Sequence, residues 1–163
     1  GISYPNKFVF NILEQLNINF ISEKTFKWSE NKRYDFYIPK LKCIVEAHGN
    51  QHYGSGFSKL GGRTLQEEQG NDKLKKELAL ANKIKHYIVL DCRKSELEWI
   101  KNSIMNSELP KILKFKEENV NWIECERYTT SNLIKEICRM YNSEKDISKI
   151  SKYYKIHKGT IWS

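Results

Sequence analysis

The sequence predicts an α/β fold: a mixed β-sheet flanked by helices, followed by a small C-terminal helical segment. Three observations predict it. Apolar residues recur at helical spacing between Pro5 and Leu16. Short strand-like runs follow, and a polar helix-forming stretch separates the third run from KHYIVL at Lys85 to Leu90. From Asn121 the composition changes, and after a short connector the chain reads as helical. Strands joined across a helix need a crossover connection, and that gives a mixed sheet with helices packed on it.

Each element has its own signal. Pro5 suits a first helical position, and Phe8, Val9, Ile12, Leu13 and Leu16 then repeat on one face. Asn19 to Phe26 reads as a strand, closed by a polar turn from Ser29 to Lys32. Arg33 to Ile38 is a second strand. Pro39 and Lys40 turn the chain into a third, Lys42 to His48. Gly49 to Gly62 is a glycine-rich loop, longer than most ordered connections, which marks it as mobile or functional. Leu65 to Asn82 reads as a polar helix with Leu74, Leu78 and Ala81 on one face. SELEWIKNSI from Ser95 is another helix, and Leu109 to Phe115 a short one. WIECERY reads as a connector, which divides residues 1–127 from residues 128–163.

Composition narrows the function. With 163 residues the chain can bury one ordinary core. A formal net charge of +8 points to a polyanionic partner, nucleic acid or an anionic surface, against the plainer reading of solubility. No apolar run approaches the ~20 residues of a spanning helix. No signal peptide or lipidation signal is visible. Cys43, Cys92, Cys125 and Cys138 form no CxxC pair, so free thiols and a cytoplasmic protein are expected. The chain starts at Gly1 without a methionine, which reads as an excised fragment. There is no P-loop, dinucleotide fingerprint or GxSxG.

The chemistry concentrates in RYDFYIPKLKCIVEAHGNQHY. Residues two apart in a strand share a face, so Glu46 and His48 point the same way. Asp35 lies across a tight hairpin from them. If the strands pair, an acid, a second acid and an imidazole meet at one end of the sheet. Buried carboxylates are costly without a partner, and a divalent cation is an economical one. Oxygen donors suit Mg²⁺, which lowers the pKa of a bound water, and a neutral His can take that water's proton. The competing reading is a solvated sheet edge with Asp35 paired to Arg33 or a nearby lysine.

Asp35, ten intervening residues, then Glu46-Ala47-His48 resembles the D–(D/E)xK motif of restriction-endonuclease-like PD-(D/E)xK nucleases, with His in the Lys position. The likeness is closer to the branch of the very-short-patch repair endonuclease and the EDxHD homing endonucleases. It runs from about Tyr4 to Trp99. The family's helix acid matches Asn6, its strand Asp matches Asp35, its His-Gly pair matches His48 and Gly49, and its crossover-helix Asp matches Asp72. The resemblance implies a restriction-endonuclease-like fold and Mg²⁺-dependent cleavage of double-stranded DNA, with Mn²⁺ as substitute, in a phage or bacterial homing or mobile-element setting. It implies Asp35 and the Ala47 carbonyl as metal ligands, His48 acting on water, and Asp72 orienting a His or hydrated metal. Glu46 is a second ligand or a supporting group. Gln51 and His52 follow in the loop where a scissile phosphate would sit, as phosphate or water contacts or as plain loop residues. Asn6 departs from the family acid, which implies an impaired enzyme or a nuclease-fold DNA-binding protein without catalysis.

The C-terminal stretch has a second resemblance. Asp146 precedes a short helix, KIHKG forms a turn and TIWS starts another helix, similar to helix-turn-helix DNA-binding segments. Lys149, Lys152, Lys155 and Lys158 are then phosphate contacts. The alternative is an amphipathic helix folded back on the first domain. The last helix ends at Ser163 after barely one turn, which reads as a segment cut short.

Overall fold

The computed structural model describes residues 3–53 and 64–144. Most of the glycine-rich loop, and the helix-turn-helix-like stretch with Lys149, Lys152, Lys155 and Lys158, lie outside the described residues. Within them the chain is α/β, with one mixed sheet and helices on both faces.

Helix α1 (Tyr4–Gln15) begins one residue before Pro5. Ser3 is its N-cap, and the Asn6 N–H donates to Ser3 Oγ at 3.3 Å. Strand β1 (Ile21–Lys24) is shorter than Asn19 to Phe26, because a 3₁₀ turn at Lys27–Ser29 leads into the next strand. Strands β2 (Tyr34–Ile38) and β3 (Cys43–His48) form the expected hairpin through Pro39–Leu41. Helix α2 (Leu65–Ala81) crosses over to β4 (His86–Asp91). The sheet order is β1-β2-β3-β4, antiparallel except for the parallel β3–β4 pair, whose register runs from Cys43↔His86 to His48↔Asp91. Helices α3 (Leu97–Met105), α4 (Leu109–Leu113) and α5 (Trp122–Glu144) follow among the described residues.

Every position of β3 is buried. Cys43, Val45 and Ala47 pack into the main core with Phe8, Val9, Ile12 and Leu13 of α1. Ile44 faces the other way, into a smaller cluster with Tyr34, Ala79 of α2 and Ile84. The strand's period of two therefore assigns α1 to one sheet face and α2 to the other.

Two sequence expectations are corrected here. The buried positions of α2 are Lys75 and Ala79, not a Leu74, Leu78 and Ala81 stripe; Leu74 and Leu80 are exposed. The helix turns this face inward because Glu46 and His48 lie beneath it and need polar partners. WIECERY, expected as a connector, is the start of α5, which runs unbroken through the boundary expected between residues 127 and 128. Trp122, Cys125, Thr129 and Leu133 are buried at helical spacing, with all but Thr129 in the main core. Phe8 stacks on Trp122 and Phe10 on Tyr128, and Lys7 Nζ meets Glu136 Oε1 at 2.6 Å. Gln15 grips the backbone of Asn121 from both sides, accepting from its N–H at 2.8 Å and donating to its carbonyl at 3.0 Å.

Cys43, Cys92 and Cys125 are buried free thiols, and Cys138 is an exposed one. Among the described residues no helix is long and apolar enough to cross a membrane.

Because Leu133 is fully buried in the main core, Leu133→Ala is expected to cost about 2–5 kcal/mol. Urea unfolding monitored by tryptophan fluorescence measures it. A loss below about 1 kcal/mol, the level of a merely superficial contact, contradicts the packing of α5 described here.

Candidate functional site

The sequence-selected residues come from four separate segments, and the fold gathers them. Asn6, Asp35, Glu46, Ala47, His52 and Asp72 all line one cleft of about 500 Å³ between the sheet end, the start of α1 and α2. His48 lies beside it, 8 % exposed, at the end of β3. Gln51 belongs to the 3₁₀ turn Asn50–His52, and its side chain is outside the described atoms.

The hairpin places Asp35 where expected but gives it a different partner. Asp35 Oδ2 accepts the Ala47 N–H at 2.8 Å, rather than pairing with Arg33 or a lysine. Backbone groups of successive strand residues point to opposite neighbours. The His48 carbonyl accepts the Cys92 N–H at 2.8 Å on the β4 side. The Ala47 N–H and carbonyl therefore face the Asp35 edge.

Glu46 is 2 % exposed, and its Oε1 lies 2.8 Å from Lys75 Nζ. The same ammonium stands 4.9 Å from the Tyr34 ring centre, while Tyr34 Oη donates to the Lys75 carbonyl at 2.8 Å. Burial raises the Glu46 carboxyl well above its ordinary range, and the neighbouring Asp35 carboxylate adds to this; Lys75 opposes both. Glu46 therefore resists ionising in this setting, and Lys75 is the nearby cation that opposes the shift.

The imidazoles form a second group. The His48 and His52 rings stack with centres 3.9 Å apart and planes 8° from parallel. His52 Nδ1 lies 2.7 Å from Asp72 Oδ2, and His48 Nδ1 lies 3.8 Å from the same oxygen. Burial, with the adjacent His52, pushes His48 down to about 4, so it is neutral at physiological pH. Burial pushes the Asp72 carboxyl up, but the His52 hydrogen bond and the nearby His48, His52 and Lys75 outweigh it and leave it below its ordinary value. The ligand atoms of His48, His52 and Asp72 lie within 4.8 Å of one another, a set that can hold a metal ion. The turn carrying His52 is braced from outside: the Arg93 guanidinium sits 4.1 Å over the Tyr53 ring and donates to both Asp91 oxygens.

Sequence reading missed Lys75 and Glu68. Both line the cleft, and Glu68 Oε1 lies 3.5 Å from His52 Nδ1. Their signal was available, since positions 68, 72, 75 and 79 fall on one helix face. The apolar leucines of α2 drew the reading to another face.

Asn6 Oδ1 is buried without a hydrogen-bond partner, in the wall shared by the main cleft and a smaller cavity that Asp35 also lines.

No family model, curated protein or solved structure matches this chain.

The His48 shift has a signed consequence. The unfolded chain takes up a proton near pH 6.5, while the folded one holds out to about pH 4, so stability is lost as pH falls through that window. Between pH 7 and pH 4, in EDTA, the wild type is expected to lose about 3 kcal/mol more than His48→Gln. Urea unfolding at both pH values measures the difference. Equal losses contradict the burial of a neutral His48.

Proposed function

We propose that the chain is a Mg²⁺-dependent DNA endonuclease, hydrolysing phosphodiester bonds in a bacterial or phage mobile-element setting, as the restriction-endonuclease-like resemblance implies. One observation carries the reading: residues matched to that pattern from separate segments line a single cleft. The donor set fits the ion. Asp35 and the Ala47 backbone face one edge, Glu46 adjoins them, and hard oxygen donors of this kind suit Mg²⁺. When bound there, the ion polarises a phosphate oxygen and makes a bound water more acidic.

The chain's own groups supply the rest. Asp35 and the Ala47 backbone hold the ion's place at the strand edge. Lys75 stands over Glu46 as a fixed positive charge in the cleft wall. His52 is the better-placed proton acceptor: Asp72, 2.7 Å from Nδ1, stabilises the imidazolium it becomes. His48, pushed down to about 4, binds a proton too weakly to be the main base and instead supports His52 by stacking. This moves the water-activating role expected at His48 one turn onward. The net charge of +8 favours a phosphate backbone as partner.

The buried, unpartnered Asn6 Oδ1 favours a second reading, a nuclease-fold DNA-binding protein without catalysis. Plasmid cleavage with Mg²⁺ and with EDTA separates the two, alongside binding measured against salt. Affinity is expected to fall steeply as salt rises, and a flat response removes the polyanion reading. Asp35→Ala is expected to abolish Mg²⁺-dependent cleavage and leave DNA affinity within a few-fold; full activity in that variant sinks the metal assignment.

Asn6→Glu places an acid at the position that the resemblance matches to the family's helix acid. It is expected to speed single-turnover cleavage at fixed Mg²⁺ by about 10-fold or more, roughly 1.4 kcal/mol of barrier. Equal rates in both forms place Asn6 outside the reaction.

A further inference from the structure

We propose that His48, His52 and Asp72, with Glu68 as fourth donor, form a binding site for a borderline transition-metal dication of the Zn²⁺ class, separate from the carboxylate edge at Asp35 and Ala47. The geometry is close to what such an ion needs. Donors in a tetrahedral site with 2.0–2.1 Å bonds stand about 3.3 Å apart. Here Asp72 Oδ2 lies 2.7 Å from His52 Nδ1 and 3.8 Å from His48 Nδ1, and Glu68 Oε1 lies 3.5 Å from His52 Nδ1. His48, His52 and Asp72 lie within 4.8 Å of one another and close around one ion with side-chain adjustments of about one to two ångströms, while Glu68 approaches from the His52 side.

Donor chemistry sets the class of metal. Two imidazoles favour Zn²⁺, Co²⁺ or Ni²⁺, whereas Mg²⁺ takes oxygen ligands and keeps its water. The scaffold holds the donors in advance of any ion. His48 ends a strand buried at every position. Asp72 and Glu68 stand one turn apart on α2, and the Asn50–His52 turn stacks the second ring on the first. The four donor side chains are each less than one-fifth exposed. On arrival of the ion the His52 proton moves from Nδ1 to Nε2, so the ring binds neutral and its charge is unchanged.

One consequence rests on the nuclease reading. The ion ties up the imidazole lone pairs, so Zn²⁺ opposes Mg²⁺-supported cleavage.

The test is calorimetry of the untagged full chain with ZnCl₂, without DNA or Mg²⁺. Co²⁺ visible absorption reports a four-coordinate site in parallel. Wild type, Asp35→Asn and His86→Ala are expected to bind one ion with similar affinity, and excess Mg²⁺ is expected not to displace it. His52→Ala and Asp72→Ala are each expected to lose at least 10-fold. Circular dichroism checks folding; if Asp72→Ala fails to fold, His52→Ala, which lies in a turn outside the sheet, decides. No binding in wild type, or equal loss in Asp35→Asn and His52→Ala, overturns the separate site. These arms need no nuclease activity, so they stand apart from the cleavage reading. Unchanged Mg²⁺-supported cleavage at saturating Zn²⁺ overturns the inhibitory consequence.

Discussion

A strand with no exposed position must bury whatever its sequence contains, and β3 contains Glu46 and His48 along with four apolar residues. An isolated buried carboxylate costs several kcal/mol, so the face that Glu46 shares with His48 needs polar partners wherever the chain can supply them. Helix α2 supplies them: Lys75 to Glu46, and Asp72 to His48 and His52. The parallel β3–β4 ladder fixes the height at which this happens, because its register holds Glu46 opposite Val89 and His48 opposite Asp91. The helix between the two strands has to cross the sheet face that Glu46 and His48 point toward. Cleft, crossover and register are thus consequences of one requirement.

The same requirement makes the cleft electrostatically divided. At the strand edge, burial and a like neighbour raise Glu46, and Lys75 opposes them. At the α2 side, burial lowers His48, while Asp72 falls because imidazoles and Lys75 surround it. Carboxylates and imidazoles meet around one cavity, Asp35 and Glu46 at the sheet end and Asp72 beside His48 and His52 toward α2. A low-dielectric cleft of this kind strengthens interactions with charge that arrives there, whether a cation or a phosphate. Lys75 is the group common to both halves, since it pairs with Glu46 and also lowers Asp72.

Around this polar interior the remaining elements are held by ordinary packing. The main core joins α1 to α3, α4 and α5, and the aromatic contacts between α1 and α5 lock the helix that carries Asn6. Asn6 therefore has little freedom to turn its buried amide oxygen elsewhere. The brace of Arg93 on Tyr53 acts similarly on the turn after β3, from the solvent side.

The sequence by itself determined the local rules. Helical spacing located α1, period-two alternation put Glu46 and His48 on one face, and a short turn after Ile38 put Asp35 within reach of them. These depend on residues near each other in the chain, and they survive in the structure. Only the tertiary structure decided which groups meet. It gave Asp35 the Ala47 N–H instead of a cation. It turned Lys75 inward where Leu74 and Leu78 were expected, because burial of two polar side chains on β3 outweighs the exposure of leucines on a surface helix. It also carried α5 across an expected boundary, since Trp122, Cys125 and Leu133 share the main core with the apolar face of α1. Local pattern fixes the direction of a side chain within its element; the partner on the other side of a cleft is set by long-range register and by the cost of leaving buried charge unpaired.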